Sequence, residues 1–170
     1  MKKTAPSPED LETLAEAYQE LLAKALQKAR QTGTHIHHAI SEIRSDIVAM
    51  GKIGEGETIQ LEKYLQRDLT DAAHYVKETG REIADWIGFD VTLVEKAFWH
   101  MFTEAADKTT LELVKLKIQA DAAGYHTGEL TGLGTLVCNQ CGRALHFHKP
   151  NRIPPCPKCQ GTHFHRQSFE

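Results

Sequence analysis

No cysteine occurs before residue 138, and the chain's four cysteines all fall between Cys138 and Cys159. A secreted domain stapled by disulfides spreads its cysteines, so that class is excluded; clustered thiols in a reducing compartment point to metal. No apolar run approaches the roughly 18 residues needed to cross a membrane. The opening MKKTAPSPEDLETLAEAY has two lysines but no apolar stretch behind them, so it does not read as a secretory signal. The sequence therefore predicts a cytoplasmic protein with no membrane partner. Catalytic signatures are missing too: there is no G-x-S-x-G, no glycine-rich phosphate loop with a lysine, and no H-E-x-x-H. His126 and Glu129 in YHTGE could form a general-base pair, but a hairpin residue bonding to its neighbour is the favoured reading. The expectation is a protein that is not an enzyme.

Charge is scarce in the tail. Residues 129–170 hold five Lys/Arg against two Asp/Glu, a formal +3, whereas residues 1–128 hold fifteen against twenty-one, a formal −6. Four thiolates around one divalent metal ion would bring the tail down to about +1, too little for a purely electrostatic grip on nucleic acid.

The first two-thirds reads as helix. Ser7 can cap a helix with Pro8 at its first position, and Leu11, Leu14, Tyr18, Leu21 and Ala25 follow at steps of three and four. The stripe resumes after Gly33 with Ile36, Ile40, Ile43 and Ile47; Gly33 either breaks the helix or is accommodated at about 1 kcal/mol. The turn GKIGEGE reverses the chain. A returning arm carries Leu61, Leu65, Leu69, Ala72 and Val76 and runs on through Ile83 and Ile87. Together the arms predict a long antiparallel helical hairpin of coiled-coil character, or a small helical bundle. Gly88 can end the returning arm. Asp90 is expected to cap a third segment and Asp107 a last helix, closed by Gly124. Trp86, Phe98, Trp99 and Phe102 read as the core joining the helices. The division is a disordered 1–7, helices over 8–124 and a β unit over 125–170.

The β unit carries the chemistry. Cys138-x2-Cys141 and Cys156-x2-Cys159 lie fourteen residues apart. Each pair puts two sulfurs on one side of a tight turn, matching two corners of a tetrahedron with metal–sulfur bonds of about 2.3 Å. Strand-turn-strand between two such knuckles is a zinc ribbon, with one structural Zn2+ on Cys138, Cys141, Cys156 and Cys159. A rubredoxin-like iron site would use a longer separation, and a redox C-x2-C would need a βαβ context that is missing. Four thiolates leave no open position, so the metal staples the fold and does not activate water; about 40 residues bury too little surface alone.

After each knuckle comes His-Phe-His and a basic residue. Strand alternation puts Phe147 and Phe164 on one face and His146, His148, His163 and His165 on the other. A polar strand face over a phenylalanine core is the favoured reading; a second metal on those histidines is the rival. Arg143, Lys149, Arg152, Lys158 and Arg166 could line a nucleic-acid face, which the acidic helices disfavour. His35, His37 and His38 read as a surface cluster.

GYHTGELTGLGTLVCNQCG resembles a bacterial family of zinc ribbon-containing proteins: a helical N-terminal part, then Tyr125, His126, Gly128 and Glu129, a turn of Gly132, Leu133 and Gly134, then the two knuckles. RDL at 67–69 and DKTTLE at 107–112 are also similar to that family. The resemblance implies a cytosolic protein with one zinc and no established activity. Gln160-Gly161 departs from it, since glycine usually follows the second cysteine directly. The function expected is a protein-interaction or adaptor module, partnered by an unknown protein or by itself through the helices. The alternative is a nucleic-acid- or ribosome-associated regulator.

Overall fold

A computed structural model describes residues 8–49, 51, 53–116 and 124–167. The expected disorder over 1–7, the Ser7 cap and the end of the last helix lie outside the described residues.

The protein is mainly helical with a small C-terminal antiparallel β unit, as the sequence predicts. Helix α1 (Pro8–Thr32) buries Leu14, Ala17, Tyr18, Leu21, Leu22, Ala25, Leu26 and Ala29, one stripe at helical spacing. Gly33 breaks it. The residue takes φ 70°, a left-handed conformation open to glycine, and its N–H caps the Ala29 carbonyl. Helix α2 (Ile36–Ala49) turns Ile36, Ile40, Ile43 and Ile47 inward. Its first N–H, of Ile36, is capped from a distance by the Glu112 carboxylate.

Helix α3 (Glu55–Thr79) buries Leu61, Leu65, Leu69 and Ala72 and stops at Gly80, whose N–H bonds the Val76 carbonyl. The returning arm does not run on through Ile83 and Ile87 as expected: those residues belong to the short α4 (Ile83–Trp86) and its C-cap. Asp90 accepts the Thr92 N–H and so caps only a 3-10 turn (Val91–Leu93), not a long helix. Helix α5 (Lys96–Leu116) then runs straight past Asp107. That aspartate is an exposed residue between buried Ala106 and Thr109, so it marks the wet side of one helix rather than the start of another. Helix α5 packs on α1, α2 and α3. Of the two helical forms expected, the small bundle is the one the chain adopts, with Tyr18, Trp86, Phe98 and Phe102 in its core and Trp99 packed against it.

The β unit has a four-stranded sheet in the order β1-β6-β3-β4, from β1 (Tyr125–His126), β6 (His163–Arg166), β3 (Gly134–Cys138) and β4 (Ala144–Phe147). A second ladder pairs β2 (Leu130–Thr131) with β5 (Asn151–Arg152). The two parts are not separate. Leu130 and Leu133 insert into the helical core, while Tyr125, Leu136, Phe147, Ile153 and Phe164 build a second core beneath the cysteines.

Candidate metal centre and the junction beneath it

The two knuckles bring all four sulfurs within 4.8 Å of one another. Across the knuckles the separations are 3.6 Å for Cys138–Cys159 and 3.5 Å for Cys141–Cys156. A tetrahedron with metal–sulfur bonds of about 2.3 Å has corners about 3.8 Å apart, so the donor set fits zinc. Among the described residues, this is the one group of three or more His, Cys, Asp or Glu whose ligand atoms converge.

Backbone geometry explains the convergence. The Cys138 N–H bonds the Arg143 carbonyl and the Gly142 N–H returns to the Cys138 carbonyl; Cys156 N–H to Gly161 and Gln160 N–H to Cys156 repeat the pattern. Gly142 at φ 76° and Gln160 at φ 63° occupy the same left-handed position. The second knuckle therefore puts a strained non-glycine where the first puts glycine, and its glycine moves one residue on. A methyl group on Gly161 would lie 3.0 Å from the Cys138 sulfur and 3.2 Å from the Cys159 sulfur. Its N–H points at the Cys159 sulfur at 3.4 Å. Backbone N–H groups of Cys141 and Gln140 hold the Cys138 thiol below its ordinary pKa against the effect of burial, favouring the thiolate that a metal needs.

The histidines do not converge. Phe147 and Phe164 are buried, and His146, His148, His163 and His165 are exposed, as alternation requires. Register puts His146 opposite Thr135 and His165 opposite Val137 on the face away from both phenylalanines. The rings find local partners: His146 meets the Thr135 hydroxyl at 2.9 Å, and His148 stands edge-on to Phe89 at 4.6 Å between centroids. The earlier trio also separates. His35 lies 3.6 Å from Glu112, His38 lies 3.0 Å from Glu42, and His37 turns inward. His126 and Glu129 bond each other within their own turn, by ring nitrogen at 3.0 Å and by the His126 N–H at 2.7 Å.

Arg166 does not stand on the basic face, the disfavoured reading of the ribbon's cations. Its side chain is 11% exposed and is committed inward. Nη2 donates to Asp68 Oδ1 (3.1 Å) and the Thr131 hydroxyl (3.2 Å), Nη1 to the Leu133 carbonyl (2.8 Å), and Nε to the Tyr125 hydroxyl (3.0 Å). The guanidinium also lies 4.6 Å over the Trp86 ring. Arg143, Lys149 and Lys158 stay exposed; Arg152 is half-buried and donates to the Gly128 carbonyl.

Asp68, fully buried on α3, is the centre of this junction. Its Oδ2 accepts the Tyr18 hydroxyl and the Gly132 N–H, both at 2.7 Å. Burial first, and then the Asp68 charge, lift the Tyr18 hydroxyl well above its ordinary pKa, so it stays a donor. Arg67 reaches the Leu130 carbonyl at 2.9 Å and lies over the Tyr125 ring at 4.0 Å. Asp71 accepts the Tyr125 hydroxyl. A methyl group at Gly132 would collide with the Tyr18 hydroxyl, which accounts for the first glycine of the Gly-Leu-Gly turn. The segment RDL, Tyr125 and the turn from Gly132 to Gly134 thus meet at one buried polar seam.

Comparison with known proteins agrees with this picture. The chain is 30% identical over 158 residues to the uncharacterised protein YbeL of Escherichia coli (strain K12), covering 92% of this chain and 98% of that one, and it matches YbeL of Escherichia coli O157:H7 equally. No solved structure matches it. The family described as "Zinc-ribbon containing domain" matches residues 10–168, and the chain, with its closed four-sulfur cluster on a helical body, belongs to that family.

Proposed function

We propose that this chain is a non-enzymatic interaction module of the cytoplasm, in which Cys138, Cys141, Cys156 and Cys159 hold one structural Zn2+. The observation that carries the reading is the closed donor set: four sulfurs within 4.8 Å of one another leave zinc no open coordination position. The metal would supply fold stability, and the protein would work through its surfaces. Elemental analysis of the purified chain should give one zinc per chain; two or more would revive the histidine site. Affinity capture from the native cell should then retain specific proteins with the wild type and lose them with Cys138→Ser/Cys156→Ser. Capture of nothing specific would refute the adaptor role.

A nucleic-acid- or ribosome-associated role is the second reading, supported by the exposed Arg143, Lys149 and Lys158 around the ribbon. The inward commitment of Arg166 and the acidic helices weaken it. RNA or DNA binding that falls steeply with salt would favour it.

A further inference from the structure

Among the described residues β4 is the edge strand of the ribbon sheet, with β3 on one side and no strand on the other. A groove of about 1010 Å³ runs beside it. Leu145, His146 and Phe147, three consecutive residues of β4, line that groove, as do His148 and Lys149 of the bend that follows. Successive side chains of a strand point to opposite faces, so a cavity lined by consecutive residues follows the strand's edge and not one of its faces. The opposite wall comes from the helical body, with Leu93 of the 3-10 turn and Phe98 of α5. Leu93 is 56% exposed, one of two large apolar side chains so placed among the described residues.

An unpaired edge beside an apolar wall is the geometry that accepts an added strand. Charge selects the occupant. Lys149 and Arg152 bring two positive charges to the lining and Glu95 one negative charge. Arg152 also keeps its Nε–H buried without a hydrogen-bond partner. Antiparallel pairing of β4 with a second copy of itself, centred on Phe147, would set His146 against His148 and would answer neither cation.

We propose that this groove receives an extended acidic segment of a partner protein, added to β4 as a fifth strand, with apolar residues alternating with carboxylates. Apolar positions would face Leu145 and Phe147; carboxylates would face the His146 and His148 side and the cations at the strand's end. A heptapeptide, about 23 Å long when extended, is sufficient. This inference rests on the interaction-module reading and names its partner's chemistry.

The test is a displayed library of random heptapeptides panned against the full-length, zinc-loaded chain, with selected peptides resynthesised and titrated. The expected result is alternation of apolar residues with Asp or Glu, and slowed hydrogen exchange at the amides of His146 and His148, which point away from β3, when peptide is bound. Leu93→Asp and Lys149→Glu, both at exposed positions, should each weaken binding tenfold or more while leaving zinc content and far-UV spectrum unchanged. If one variant fails to fold, the other decides. Selection of no peptide, of peptides without carboxylates, or of peptides indifferent to both substitutions would overturn the proposal. So would a concentration-dependent dimer of the chain that the same substitutions abolish. If Leu93→Asp/Lys149→Glu captures the same cellular proteins as wild type, the groove is wrong and the adaptor role stands. If wild type captures none, the adaptor role fails while panning still judges the groove.

Discussion

Arg166 Nη2 sits 3.1 Å from Asp68 Oδ1, joining the last ribbon strand to a helix 98 positions earlier in the chain. Both side chains are removed from water, Asp68 completely. A buried ion pair gains little over an apolar filling, yet leaving one half alone is expensive. Asp68 is further committed to Tyr18 and Gly132, so its carboxylate holds the helices and the ribbon at one point.

Asp68→Ala should therefore destabilise the protein by about 3–5 kcal/mol, measured as a loss in urea-unfolding free energy. Asp68→Ala/Arg166→Met should cost less than the two single changes added together, because the stranded charge is removed with its partner. Strict additivity in that cycle would mean that the pair is not coupled.

Metal removal should be felt in the helices. Unfolding the ribbon withdraws the Arg166 guanidinium and the Gly132 N–H from Asp68 and pulls Leu130 and Leu133 from the helical core. Each buried group left unsatisfied costs about 1–3 kcal/mol. Chelation should then lower the thermal midpoint followed at 222 nm by roughly 5–15 °C, while most helical signal at low temperature remains. An unchanged midpoint would mean that the two parts are energetically independent.

What was legible in the sequence follows from how local each signal is. The knuckles could be read because four ligands lie within 22 residues, and the His/Phe alternation because a strand repeats every two residues. The junction was missed although it left marks. Arg166 is two residues past Phe164, hence on the buried face of β6. Asp68 sits beside Leu65 and Leu69 in the apolar stripe of α3, where an acid needs a partner. Each mark predicts a buried charge; pairing them needs the fold. Asp107 misled for the opposite reason, since capping residues are also ordinary on a helix's solvent side.

His37 gives the fold a pH dependence. Burial lowers its pKa from 6.5 to about 4. Above pH 6.5 the ring is neutral folded or unfolded. As pH falls toward 4, only the unfolded chain takes up the proton, so stability drains away by on the order of 3 kcal/mol. Asp71 acts with the opposite sign: burial raises it from 3.8 to about 6 against the pull of Arg166, and its contribution is lost as pH rises through that value. Comparison with His37→Leu isolates the histidine. The variant should gain on wild type between pH 7 and pH 5 in urea midpoints; parallel curves would show that His37 titrates normally.

The second knuckle offers two opposed substitutions one residue apart. At Gln160 the backbone is left-handed with φ 63°, which costs a non-glycine residue about 1–2 kcal/mol. Gln160→Gly removes that strain at no loss of contact with sulfur, and zinc affinity measured by competition with a chromogenic chelator should hold or rise. Gly161→Ala instead sets a methyl group 3.0 Å from the Cys138 sulfur and 3.2 Å from the Cys159 sulfur. Neither sulfur can retreat without leaving the tetrahedron, and the N–H directed at Cys159 turns away with the backbone. Gly161→Ala should weaken zinc binding by tenfold or more. If alanine is tolerated there while Gln160→Gly weakens binding, the glycine shift has been read the wrong way round.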